Sequence, residues 1–147
     1  MDATPASVLL LAATGVHLGF QLVVTLLVYP GFAEVADEHW AHHHDRHSRR
    51  ITPLVVIVYG LLVLACALAL WTGPTALETA SAVGCGVAAV ATAAVAAPAH
   101  GRLAGGRNPA VLRRLLYADR VRLLAAVVAA ALAGISLYLQ VTVSSGL

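Results

Sequence analysis

Four runs of about 20 apolar residues restrict the fold of this chain more tightly than any other feature. They cover about 6–29, 51–71, 77–97 and 123–143, the last being the apolar part of a helix that starts near residue 112. A bilayer hydrocarbon core about 30 Å thick takes roughly 20 helical residues to cross. Glu78, at the very start of the third run, is the only charge within them. Over 147 residues, 60% are hydrophobic and 11% charged, against ~45–50% and ~25% in soluble domains. The expectation is an all-α, integral-membrane four-helix bundle forming a single domain over 1–147.

The first run does not read as a signal peptide. No Lys or Arg precedes it, and Tyr29-Pro30 follows where small residues would mark cleavage. Four spans place both termini on one side, and the arginines decide which. Arg46, Arg49 and Arg50 lie between runs one and two, and Arg102, Arg107, Arg113, Arg114, Arg120 and Arg122 between runs three and four. The tails and the turn at 72–76 carry none. Positive residues in short loops stay cytoplasmic, so the expected topology has both termini outside a bacterial-type cell membrane and both long loops inside. The net charge of +2 reflects that asymmetry and not a nucleic-acid partner.

Between runs one and two, Pro30-Gly31 breaks the first helix. Phe32, Val35, Ala36 and Trp40 then recur at three- and four-residue intervals, as on a short amphipathic helix at the cytoplasmic mouth, with Trp40 at headgroup level. The stretch from His100 to Asn108, with Gly101, Gly105 and Gly106, reads as a loop, and Pro109 can open the last helix. Gly15-x-x-x-Gly19 and the glycines of run three suit close packing within the bundle. Cys66 and Cys85 come to similar depth in an antiparallel hairpin. They can pair as a disulfide or serve as two small packing residues.

Seven histidines and no lysine occur in the chain, five of them between His39 and His47. His43 and His47, or His44 and His47, can present two imidazoles on one helical face. His39 and His42 read as a solvated polar face. Topology brings His100 and the start of the last helix, with Asp119 and Arg122, to the same end. His44, His47 and His100 are therefore candidate ligands for iron, copper or zinc, with Asp119 completing the shell or acting as a base. Asp119 and Arg122 can equally be an ion pair, or Arg122 can bind an anionic substrate group. Thr14, His17, Gln21, Thr25 and Tyr29 form a polar stripe along the first helix. Such groups are costly in a membrane and face either a pocket or other polar groups.

The segments Gly19-Phe20-Gln21-Leu22, Val28-Tyr29-Pro30-Gly31-Phe32-Ala33, His44-Asp45-Arg46-His47-Ser48-Arg49-Arg50-Ile51-Thr52-Pro53 and Pro98-Ala99-His100-Gly101-Arg102-Leu103 resemble a family of small four-helix bacterial membrane proteins. That family is similar to the anthrone-oxygenase-like membrane proteins, linked to oxidation of polycyclic aromatic polyketides. The resemblance supports Gln21, Tyr29, Pro30, His44, His47, His100 and Arg122. It departs at Asp119-Arg120, where the family carries Asn-Trp, and at Leu123, where it carries Thr.

The resulting expectation is a membrane-embedded oxygenase or cyclase of natural-product biosynthesis, acting on a lipophilic small molecule from the bilayer. It would use the histidines with a transition metal or as acid–base groups, with Asp119, Arg122, Tyr29, His17 and Gln21 in the site and no nucleotide cofactor. The alternative is a non-enzymatic module: a haem-binding electron carrier, a transporter subunit completed by homo-oligomerisation, or an assembly partner.

Overall fold

The computed structural model describes residues 4–145, and nothing is described of the Ala33 side chain. Residues 1–3 and 146–147 of the single domain expected from sequence therefore lie outside the described residues. Four long helices account for nearly all of the rest. Helix α1 runs through Pro5–Val23, a wide π-turn Val24–Val28 and a last segment Tyr29–Ala33. After a 3-10 turn at Asp37–His39, α2 covers Trp40–Trp71. Helix α3 has the same three-part form as α1: Ala76–Ala91, a π-turn Thr92–Ala96, then Ala97–Leu103. Helix α4 is unbroken over Pro109–Ser144. All four are long and apolar enough to cross a membrane, and large side chains such as Leu26, Leu27, Val56 and Leu124 face outward, as in a multi-pass membrane protein.

Local chemistry fixes the helix starts. Thr4 accepts the Ser7 amide at 3.1 Å with Pro5 behind it in the first turn, and the Asn108 side chain accepts from Ala110 and Val111 ahead of α4. Thr75 and Glu78 form a reciprocal capping box on α3. Gly73, at φ 81°, supplies the left-handed residue in the turn from α2 to α3.

Both π-turns immediately precede a proline. A proline cannot donate to the carbonyl four residues back and crowds it, and the upstream turn widens in response. The Tyr29 amide reaches Val24 O and the Ala97 amide reaches Thr92 O, five residues back, before Pro30 and Pro98. The expected break at Pro30-Gly31 is therefore absorbed as a wide turn and α1 continues to Ala33. Likewise α3 continues past His100 to Leu103, shortening the expected loop.

The amphipathic helix expected over 32–49 is replaced by a different arrangement. Its second half is the first three turns of α2, and Trp40 is only 1% exposed. The Trp40 indole N–H donates to Leu103 O at 2.9 Å, meeting a carbonyl at the end of α3, and its ring packs on Phe32. Of the four residues at that spacing, Phe32 and Trp40 are buried, Val35 is half-buried and Ala36 is exposed, and protein rather than lipid covers the two aromatics.

Helices α3 and α4 approach through small residues. A Cβ on Gly84 would lie 3.3 Å from both Ala125 O and Ala129 Cβ, and Ser81 Oγ donates to Ala129 O at 2.8 Å. Gly84→Val is expected to destabilise the bundle by about 1–3 kcal/mol through overpacking, measured as loss of thermal stability in detergent. Gly15 and Gly19 behave differently. A Cβ on either meets nothing within 4 Å, so the GxxxG pair faces outward and does not serve packing within the bundle. Cys66 and Cys85 are free thiols in one apolar cluster with Leu62 and Ala129.

Candidate functional site

The two ends of the bundle handle buried polarity differently. At the end without arginines, Gln140 links Glu78 Oε1 and Ser136 at 3.1 Å each. Ser7 donates to Gln140 at 3.1 Å, and Thr75 and Ser136 join at 2.8 Å. That network is closed. Toward the arginine-bearing end, five buried polar atoms have no partner among the described residues: His17 Nδ1, Gln21 Oε1, His44 Nδ1, Ser48 Oγ and Arg122 Nε. Buried polar groups without partners are rare in folded proteins and call for an explanation.

Two chambers open at this end of the bundle, and two of these residues, Ser48 and Arg122, line one of them. The inner, about 230 Å³, has Tyr29, His47, Ser48, Thr92, His100 and Arg122 in an otherwise largely apolar wall. The outer, about 520 Å³, lies between α1 and α2 and is bounded by Gly19, Phe20, His43, Arg46, Arg50 and Leu54. Phe20, Val24, Val28, His47 and Ile51 belong to both walls, so the chambers lie side by side. Each π-turn contributes to the inner wall, α1 through Val24 and Val28 and α3 through Thr92 and Ala96. Such turns often mark functional positions in helices.

The expected histidine group assembles. His44 Nε2 lies 3.2 Å from His100 Nδ1, and the His47 ring stacks toward His100 with centroids 6.0 Å apart. Phe32 sits among them, its ring 4.8 Å from His47 and 6.4 Å from His100. Trp40 stacks on His44 at 5.8 Å. His39, His42 and His43 are exposed. Among the described residues, no group of three or more His, Cys, Asp or Glu side chains is disposed to hold a metal ion.

Asp119 and Arg122 form a second cluster. Both are buried, 2% and 5% exposed, and are joined at 3.0 Å. Gln21 donates its amide N–H to the same Asp119 oxygen, and Arg122 Nη2 donates to the Tyr29 phenolic oxygen Oη at 3.0 Å. The carboxylate is thus occupied in holding Arg122, while the guanidinium Nε is left over beside the inner chamber. Because the Tyr29 oxygen accepts from Arg122, its own proton remains available to a further acceptor.

Comparison with known proteins returns no match. No family model, curated protein or solved structure corresponds to this chain at a significant level.

Not every residue of the α1 stripe reaches a chamber. Thr14 bonds back to Leu10 O at 2.8 Å, and His17 and Gln21 line neither chamber. His17 Nε2 meets Tyr59 Oη at 3.3 Å, and the same Oη meets Thr92 Oγ1 at 2.7 Å, a relay from mid-bundle to the inner wall. Tyr59, Thr92, Ser48 and Phe32 were not among the sequence candidates. Only Ser48 and Phe32 lay inside the quoted motifs. Tyr59 sits in an apolar run where nothing distinguishes an inward from an outward tyrosine.

Proposed function

We propose that this chain spans the cell membrane with its arginine-bearing end in the cytoplasm and acts as an acid–base enzyme on a lipophilic carbonyl compound drawn from the bilayer. The observation that supports this most is the coincidence, in one inner chamber, of neutral-type bases with a buried cation that has a free donor. His47 and His100 share a wall with Arg122, whose Nε has no partner.

An imidazole suits proton transfer at neutral pH. In this reading His100 or His47 removes a proton from a carbon conjugated with the carbonyl, as is the CH2 across the central ring of an anthrone, and charge develops on the carbonyl oxygen. Arg122 Nε and the Tyr29 hydroxyl stabilise that oxyanion as fixed donors in an apolar surrounding. His44, 3.2 Å from His100, fixes the tautomer and ring orientation of His100. Asp119 and Gln21 act as positioning residues, holding the guanidinium in register. The resulting carbanion can close a ring within the same molecule, as in a cyclase, or react with dioxygen, as in an oxygenase. The motif resemblance to the anthrone-oxygenase-like proteins favours a polycyclic aromatic carbonyl and a place in natural-product biosynthesis.

Anthrone supplied to the protein in nanodiscs tests this reading. Solvent deuterium should enter the acidic carbon position, with or without oxygen uptake. His100→Gln and Arg122→Lys should each lower the rate by roughly 10²–10⁴, the range of general-base and oxyanion contributions. Wild-type exchange no faster than in empty nanodiscs would remove the reading for this substrate class. Exchange above the empty-nanodisc rate but unchanged in both variants would remove the assigned site.

A second reading rests on the His44–His100 spacing. Nitrogens bound about 2.0–2.1 Å from one tetrahedral ion stand roughly 3.3 Å apart, close to the 3.2 Å between these two. Iron, copper or zinc held by His44 and His100, with His47 nearby, would supply Lewis-acid or redox chemistry to the same chamber. Metal analysis of protein purified without chelator separates the two readings: stoichiometric metal that disappears in His44→Ala supports the second.

A further inference from the structure

The outer chamber has a design that the acid–base reading does not use. We propose that it is a binding site for an anionic phospholipid, with one acyl chain lying in the cleft between α1 and α2 and the phosphate held by Arg46 and Arg50. This rests on the transmembrane placement above but not on any catalytic activity.

The charge pattern on α2 carries the proposal. Of its three arginines, Arg49 is neutralised by Asp45 at 3.1 Å, on an exposed face. Arg46 and Arg50, one turn apart, make no ion pair among the described residues, and both border the outer chamber beside His43 and His47. Positions 43, 46, 47 and 50 share one helical face, so two guanidiniums and two imidazoles stand over one opening. Below them the wall is apolar, with Phe20, Val23 and Leu54.

Depth matches the chemistry. The apolar part of α2 begins at Ile51, so at 1.5 Å per residue Arg50 and Arg46 stand about 1.5 and 7.5 Å beyond the hydrocarbon edge. That range spans the headgroup layer, roughly 5–7.5 Å thick on each side, from its inner edge to its outer limit. Arginine forks match phosphate oxygens. The 520 Å³ volume lies within the ~300–1,000 Å³ of small-molecule sites. Gly19 makes room in the wall: it borders the chamber, and a Cβ there meets nothing within 4 Å. A larger side chain at that position would project into the space without displacing protein.

Native mass spectrometry of the delipidated protein tests this with phosphatidylglycerol, phosphatidylcholine of the same chains, and inorganic phosphate. Phosphatidylglycerol should bind at one tight site, phosphatidylcholine far more weakly, and inorganic phosphate should not displace the bound lipid. The double variant Arg46→Ala/Arg50→Ala should weaken phosphatidylglycerol by about 30-fold, from about fivefold losses at each arginine. Arg113→Ala/Arg114→Ala, equal in charge removed, should not. Gly19→Leu should also abolish the tight site while leaving the thermal transition in place. Equal binding of the two lipids, equal losses in both arginine pairs, or displacement by inorganic phosphate would overturn the proposal. If Gly19→Leu destabilises the fold, the comparison of the two arginine pairs decides it alone. Loss of anthrone exchange in His100→Gln with lipid binding intact would keep the two readings separate.

Discussion

Replacing Arg122 with methionine should destabilise the bundle by about 3–5 kcal/mol, the cost of leaving one partner of a buried ion pair without its counter-charge. Asp119 is 2% exposed, and without Arg122 its carboxylate keeps only the Gln21 amide as a partner. The double variant Asp119→Asn/Arg122→Met should recover most of that loss, because it removes both charges together. It should not recover substrate exchange, since the donors facing the chamber would still be missing. Thermal unfolding in one detergent, followed by helical signal, measures the first effect, and the anthrone assay measures the second. If the single variant proves as stable as the parent, the pair is not the clamp described here.

Trp40→Ala should have a comparable effect by another route. Deleting a fully buried tryptophan typically costs about 3–5 kcal/mol, and here it also removes the donor to Leu103 O and the surface on which His44 stacks. Trp40→Phe retains much of the volume but not the N–H, so it should cost about 1–2 kcal/mol. Beyond stability, Trp40→Ala should loosen the His44–His100 pair, which would appear as faster solvent exchange of the imidazole protons by NMR. Variants that melt like the parent would show that this tryptophan does not anchor α2 to α3.

The helices were legible because lipid-facing helices must be apolar over a fixed length, and that requirement leaves a mark on every turn. The histidine group was legible for a related reason: four helices of known direction force His44, His47 and His100 to one end. Trp40 was misread because amphipathic spacing reports that a face is covered, not what covers it. Gly15 and Gly19 were misread because a small side chain permits close approach without requiring it. For Asp119 the sequence left open a place beside the histidines or an ion pair with Arg122, and the ion pair forms; helix register alone does not say whether a carboxylate turns to imidazoles or to Gln21 and Arg122. The chambers had no sequence signal, because a cavity is a space left by residues that are ordinary one at a time.

The matched wide turns of α1 and α3 set the phase of the site. Gln21 and Tyr29 are eight residues apart, as are Thr92 and His100. In a regular helix that interval turns the second side chain about 80° from the first. Spending one extra residue in the intervening wide turn brings it back to within roughly 20°, so each pair faces the same side of the bundle. Tyr29 thereby stays beside Arg122, and His100 beside the wall that holds Thr92. Distant relatives would then be recognised less by matching letters than by conserved counting. A one-residue deletion within either wide turn would leave that phase unchanged, since seven residues of regular helix give the same orientation, whereas a one-residue insertion there would turn the downstream side chains by about 100°, toward the lipid.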